Sequence, residues 1–285
     1  MIKLNNVLVK FEQFPNGETR VDGEQIVSIM SIGNLPNCIE FKYETDADLL
    51  RLMFLKRFLD SKDTGESTLI ISYMPYSRMD RVEGESVFTL KYVADLINSL
   101  NFEIVYVHEA HSDVTAALLN NCVALNDGEV LLGLAMDKVG FDVEKDYVFY
   151  PDAGAQKRYS KIGKFNELVG FKKRNFETGR IESLQVVGEM EPGRKIIILD
   201  DLSSYGGTFM LSAEKLKELG AGDIYLAVTH CEDKIFEGKI PEYDLITKVF
   251  TTDSIINKSK HEKVEIISSL GWVRDEESNE VIEVA

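Results

Sequence analysis

The chain has 285 residues, a formal net charge of -16 at pH 7, and 44% hydrophobic against 28% charged residues. That length accommodates two domains of ordinary size, and that apolar content excludes a disordered chain. The acidic balance excludes general affinity for nucleic acid or an anionic membrane, so an anionic ligand requires a local cluster of cations or a metal ion.

The first residues, MIKLNNVLVKFEQF, lack the apolar stretch of a signal peptide, and no window reaches the length of a membrane span. The expectation is a soluble, cytoplasmic protein. Cys38, Cys122 and Cys231 form an odd, scattered set without CxxC spacing, which predicts buried, reduced thiols and neither a disulfide framework nor a zinc site.

Runs rich in Val and Ile predict strands at Gln25–Ile32, Thr68–Met74, Glu103–Val107, Tyr147–Tyr150, Lys195–Leu199 and Ile224–Thr229. Helical spacing predicts helices at Asp46–Leu59, Thr89–Leu100, Val114–Leu119 and Thr208–Leu219, the last stopped by Gly220. Strands alternating with helices give an α/β class with a mostly parallel sheet. The polar stretch Asn126–Val130 divides the chain into two halves, expected as domains over residues 1–128 and 129–285, and the acidic segment Arg274–Ala285 reads as a solvated end.

In open α/β sheets ligands sit beyond the carboxyl ends of the strands, and four such places carry chemistry. In MPYSRMDR, Arg78, Asp80 and Arg81 cluster after a strand; Arg78 suits a base or a phosphate, and the cluster equally suits a solvated surface. In VHEAHSD, His108 and His111 lie three apart, which fails the HExxH spacing and leaves a structural pair or a histidine near a magnesium-nucleotide site. In YPDAGAQKR, Asp152 follows a strand, Gly154 permits close approach, and Lys157 and Arg158 are expected on the first turn of a helix; a capped helix with a solvated basic turn fits as well. In LDDLSSYGGTF, Asp200 and Asp201 end an apolar run, and Gly206-Gly207-Thr208 opens a helix. Acids at one end and a phosphate nest at the other suit a ribose phosphate, and an ordinary turn with capping acids is the competing reading.

Together these segments resemble the ribose-phosphate pyrophosphokinase family, also called PRPP synthetases. MPYSRMDR is similar to that family's PYxRQDR, HEAHSD to DLHxxQ, PDAGAQKR to PDxGGxKR, and LDDLSSYGGT to DDxxDTxGT; FPNGE at Phe14–Glu18 and FKKR at Phe171–Arg174 add weaker matches. The resemblance implies two domains of phosphoribosyltransferase type I, each a mostly parallel sheet flanked by helices. It also implies magnesium-dependent transfer of the β,γ-diphosphate of ATP to the anomeric hydroxyl of a ribose 5-phosphate group, with release of AMP, in a homo-oligomer (dimer or hexamer). By the same resemblance Arg78, with Met79 and Asp80 beside it, would bind ATP, and Phe14, Asn16 and Glu18 would reach the adenine from a neighbouring subunit. His111 and Asp152 would stand at the magnesium ion, with His111 also at the nucleotide, and Lys172 and Arg174 would be catalytic. Asp200 and Asp201 would take the ribose hydroxyls, and Ser204, Tyr205, Gly206, Gly207 and Thr208 would form the rest of the ribose-phosphate loop.

Four departures matter. Ser204 and Tyr205 stand where the family places Asp-Thr, at the 5-phosphate end of the acceptor. A diester carries less charge there and needs an exit for its second half, which Tyr205 could flank, so the reading leans to a 5′-substituted acceptor such as ADP-ribose, with ribose 5-phosphate as the alternative. The acidic Val82–Ser86 replaces a basic loop and implies weak inhibition by ADP or phosphate, Met79 replaces a Gln, and the C-terminal helix is replaced by GWVRDEESNEVIEVA, expected to pack back on the first domain or to end free. A phosphoribosyltransferase shares the acid-acid and Gly-Thr loop but lacks the N-terminal segments, and an inactive regulatory subunit would not need Lys172, Arg174, His111 and Asp152.

Overall fold

The structure is a computed structural model, and it describes residues 1–30, 36–62, 65–174, 181–268, 272–274 and 281–283, with the side chains of 173, 174, 181–183 and those beyond 268 outside the description. The chain divides into two compact units, Met1–Leu125 and Asn126–Ala285.

In the first unit the strands are β1 (Ile2–Leu4), β2 (Val7–Leu8), β3 (Phe11–Gln13), β4 (Thr19–Val21), β5 (Asn37–Phe41), β6 (Ser67–Ile71), β7 (Ile104–His108) and β8 (Cys122–Leu125). The helices are α1 (Gly23–Met30), α2 (Ala47–Ser61), α3 (Thr89–Asn98) and α4 (Asp113–Leu118). Six strands form one sheet in the order β2-β1-β5-β6-β7-β8. The pairs from β5 to β8 are parallel, and β1 is antiparallel to both neighbours. Strands β3 and β4 form a separate antiparallel hairpin. Leu52, Leu55 and Leu59 recur on one face of α2 at helical spacing and are fully buried, so that face seals the sheet.

The second unit contains α5 (Asp127–Val139), α6 (Ala153–Tyr159) and α7 (Gly207–Glu218). Its strands are β9 (Tyr147–Tyr150), β10 (Asn166–Arg174), β11 (Ile181–Val187), β12 (Ile196–Ser203), β13 (Ile224–Cys231), β14 (Lys248–Thr252) and β15 (Val264–Ile267). They make a seven-stranded sheet, ordered β11-β10-β9-β12-β13-β14-β15, in which every pair is parallel except β10–β11. A short antiparallel pair, β16 (Trp272–Arg274) and β17 (Val281–Glu283), follows. Every residue of β13 is buried, as expected of a central strand covered on both faces.

Alternation along β12 feeds two cores. Ile196 and Ile198 pack with Phe209, Ala213 and Leu216 of α7, whereas Ile197 and Leu199 pack with Leu131, Leu132 and Ala135 of α5 and with Ala155 and Tyr159 of α6. No described helix is long and apolar enough to cross a membrane.

Four expectations are corrected. Gln25–Ile32, read as a strand from its apolar content, is helical through Met30: Ile26 and Ile29 are buried three residues apart, and the Asp22 carboxylate accepts from the amides of Glu24 and Gln25 at the helix start. Lys157 and Arg158 lie in the last turn of α6, not its first, because the helix begins at Ala153. Asp200 and Asp201 lie within β12, which continues to Ser203, so they occupy opposite faces of the strand. Asn126 and Asp127, read as part of a polar boundary, start α5. The cysteines are free thiols, with Cys231 buried and Cys38 and Cys122 half-buried. The proposed packing of the last residues on the first domain lies outside the described residues.

Candidate active site

In the second unit the site begins with Asp152. Its carboxylate caps α6, accepting from the amides of Gly154 and Ala155, each at 3.1 Å. Lys172 on β10 donates from Nζ to the same carboxylate at 3.1 Å, with the lysine side chain 9% exposed and the aspartate side chain 48% exposed. Burial pushes the Asp152 carboxyl up, but the Ala155 amide, the Lys172 ammonium and the Gly154 amide outweigh it and hold the group below the ordinary carboxylate value. One edge of Asp152 therefore stays ionised and open to solvent.

The two acids of β12 have different environments. Asp201 is buried and ion-paired with Arg158 of α6 at 2.7 Å. Asp200 lies on the other strand face and accepts from the Asp201 amide at 2.9 Å. Burial, then the Asp201 charge and more weakly that of Asp152, push the Asp200 carboxyl well above its ordinary value. The acid pair is thus one ion-paired carboxylate and one that tends to keep its proton.

Asp200 binds its proton in the folded state at pH values where the unfolded chain has released it, so it costs stability as pH rises above the ordinary value of 3.8. Asp200→Asn is therefore expected to resist urea better than the parent at pH 7.5, with the gain vanishing as pH falls toward 4. Urea unfolding at both pH values checks this, and equal stability at pH 7.5 would count against it.

Beyond Ser203 the chain turns sharply. Gly206 adopts φ +82°, and a side chain there would meet Ile240 at 2.3 Å, so only glycine fits. The carbonyl of Tyr205 is packed equally closely against Gly238, where a side chain would stand 2.3 Å from the oxygen. These two contacts fix the backbone of the loop while the Tyr205 ring remains 53% exposed, with Lys234 Nζ 5.9 Å from its centroid. Gly207, which opens α7, is exposed with open space where a side chain would project, and the first amides of a helix suit an anion.

In the first unit the segments after β6 and β7 are joined. Asp80 is buried and accepts from Ser112 Oγ at 2.7 Å, which ties the Arg78 segment to that of His111. Arg78 and Met79 are exposed at its rim and His111 is half-buried beside Ser112. Tyr76 holds a left-handed backbone at φ +62°, strained for a residue with a side chain, and its hydroxyl donates to Asp46 Oδ1, which also accepts from Tyr43 at 2.5 Å. Phe14, Asn16 and Glu18 form the exposed tip of the β3–β4 hairpin, where Asn16 Oδ1 accepts from the Glu18 amide at 3.2 Å.

The fold thus brings together Asp152, Lys172, Asp200, Asp201 and the Ser204–Thr208 loop in one unit, and Arg78, Met79, Asp80 and His111 in the other. His111 and Asp152, paired by the magnesium expectation, belong to different units. The Arg174 side chain lies outside the described residues. Among the described residues no group of three or more metal-ligating side chains converges. Arg158 as the partner of Asp201 was missed; its signal was the spacing of Ala155, Arg158 and Tyr159 on one face of α6, invisible with the helix started too late.

No family model matches the chain. It is 29% identical over 232 residues to the ribose-phosphate pyrophosphokinase of Thermococcus kodakarensis, covering 78% of this chain and 77% of that protein. It is 29% identical to the one of Pyrococcus abyssi, covering 79% and 77%, and 28% identical to the one of Shewanella oneidensis, covering 74% and 68%. The crystal structure of phosphoribosylpyrophosphate synthetase from Mycobacterium smegmatis superposes with a TM-score of 0.71 at 20% identity, covering 92% of this chain and 86% of that one. Over about three quarters of its length the chain is similar to ribose-phosphate pyrophosphokinases, and it shares the two-domain α/β fold of the solved phosphoribosylpyrophosphate synthetase.

Proposed function

We propose that the protein transfers the β,γ-diphosphate of ATP to the anomeric hydroxyl of a ribose 5-phosphate group and releases AMP. The observation that carries this reading is the second unit's site, where the Asp152–Lys172 pair, the Asp200–Asp201 pair and the glycine turn into α7 flank one another, in a chain homologous to enzymes of that name.

Each part has a task in such a transfer. The first amides of α7 and the Gly206–Gly207 turn accept the sugar phosphate. Asp200 hydrogen-bonds the ribose hydroxyls, while Asp201 is committed to Arg158 and positions the strand end. Lys172, with Arg174, neutralises charge on the transferring phosphates, because diphosphoryl transfer asks the protein chiefly for positioning and electrostatics. Arg78, Met79, Asp80 and His111 hold the ATP, and the exposed Phe14, Asn16 and Glu18 offer adenine contacts to a neighbouring copy in a homo-oligomer.

Magnesium fits the residues present, since that ion binds through one or two carboxylates with waters and phosphates, and Asp152 offers one ionised, half-exposed carboxylate. When bound, it supplies neutralisation of the phosphate charge.

Two acceptors satisfy this chemistry. Ribose 5-phosphate is the one in the relatives' names. ADP-ribose is the second reading, favoured by the half-exposed Tyr205 ring beside a glycine turn whose backbone is held by Ile240 and Gly238. An aromatic platform contributes about 1–3 kcal/mol to a stacked base. If ADP-ribose is the acceptor, Tyr205→Ala lowers the ratio of kcat/KM for ADP-ribose over ribose 5-phosphate by about tenfold. AMP release from ATP and magnesium with each acceptor measures this. Faster turnover of ribose 5-phosphate with an unmoved ratio would eliminate the ADP-ribose reading, and no AMP with either would eliminate the diphosphokinase itself.

A further inference from the structure

At the opposite edge of the first unit's sheet from the Arg78 segment, a cleft of about 480 Å³ opens. It lies where β6 and β7 begin and α2 and α3 end, and its lining includes Lys56, Asp60, Glu66, Ser67, Glu103 and Asn121. Nothing in the proposed reaction uses these groups.

The charge of the cleft selects the ligand. Lys56, the one cation among the lining residues, is buried, ion-paired with Asp60 and 5.4 Å from the ring centroid of Phe102. It is therefore already neutralised. Glu66 and Glu103 remain exposed in the lining, and the neighbouring Glu66 pushes the Glu103 carboxyl above its ordinary value. The C-terminal ends of α2 and α3 add the partial negative charge of their last carbonyls. An anion is opposed by all of these, whereas a ligand with several N–H donors and positive charge is favoured.

A second observation points the same way. Ser67 is 2% exposed, and its Oγ is buried with no hydrogen-bond partner while the residue lines the cleft. A buried hydroxyl without a partner is a costly feature that a ligand donor would relieve. Among the described residues no three metal-ligating side chains converge there, and the carboxylates of Asp60, Glu66 and Glu103 suit donors spread along a chain.

We infer that this cleft binds a small aliphatic polyamine. One ammonium group sits by the Glu66 and Glu103 carboxylates, and another donates to Ser67 Oγ in the interior.

The test uses the full-length protein and spermidine in 150 mM salt, followed by calorimetry and by amide NMR shifts. Saturable binding with a dissociation constant below about 1 mM is expected, with shifts centred on Ser67, Glu103 and Asn121. Glu66→Gln/Glu103→Gln, isosteric and at the rim, should weaken it about tenfold or more, the loss expected for a charge-assisted hydrogen bond. Ser67→Ala should weaken it severalfold, with AMP release untouched in both variants. Three results would overturn the inference: no saturable binding, equal binding in the double variant, which would mean diffuse attraction to an acidic surface, or the same shifts with magnesium chloride.

Discussion

Replacing Lys172 by alanine is expected to lower kcat for AMP release about a thousandfold while leaving the protein's resistance to urea nearly unchanged. The ammonium is held against Asp152 at 3.1 Å, on a side chain only 9% exposed, so its position is set before substrate arrives. A cation placed on transferring phosphates contributes about 4 kcal/mol where water is excluded, which corresponds to that factor. The fold loses little, because Asp152 keeps the amides of Gly154 and Ala155 and its carboxylate faces solvent. Single-turnover AMP release beside urea unfolding separates the two effects. Full activity in the variant would mean that Lys172 serves only to hold Asp152.

The converse is expected for Arg158→Met, which should cost about 3 kcal/mol of stability. Arg158 and Asp201 meet at 2.7 Å with 19% and 7% of their side chains exposed, and the methionine would strand the aspartate carboxylate in a core beside a second carboxyl. Breaking a buried pair costs far more than the pair contributes, since the remaining charge keeps its desolvation penalty. Adding Asp201→Asn to Arg158→Met should recover part of the loss. Urea unfolding read at the second unit checks both, and a loss under about 0.5 kcal/mol would show the pair to be solvated.

Much of the fold was legible because its signals are local. The strands at Tyr147–Tyr150 and Ile224 onward are short apolar runs, and α2, α3 and α7 show apolar residues at helical spacing. Where one apolar run served two periods, content misled: Gln25–Ile32 is as rich in aliphatic residues as a strand, yet Ile26 and Ile29 with the Asp22 cap define a helix. The last two strands of the sheet, β14 and β15, were missed because their strand character depends on pairing, β14 with β13 and β15 with β14, and not on their own pattern.

The sequence by itself determined which chemistry is present: two acids before a glycine turn, an aspartate after a strand, and an exposed Arg78 segment, each set by residue identity and order. Only the tertiary structure decided which of these groups are available. Asp200 and Asp201 are adjacent in the chain, but β12 continues through them and the pleat sends them to opposite faces, one into an ion pair with α6 and one toward the candidate acceptor site. Likewise the backbone of the Tyr205–Gly206 turn is hemmed in by the close approach of Ile240 and Gly238, more than thirty residues downstream. Those contacts depend on packing between distant segments, which no local pattern encodes.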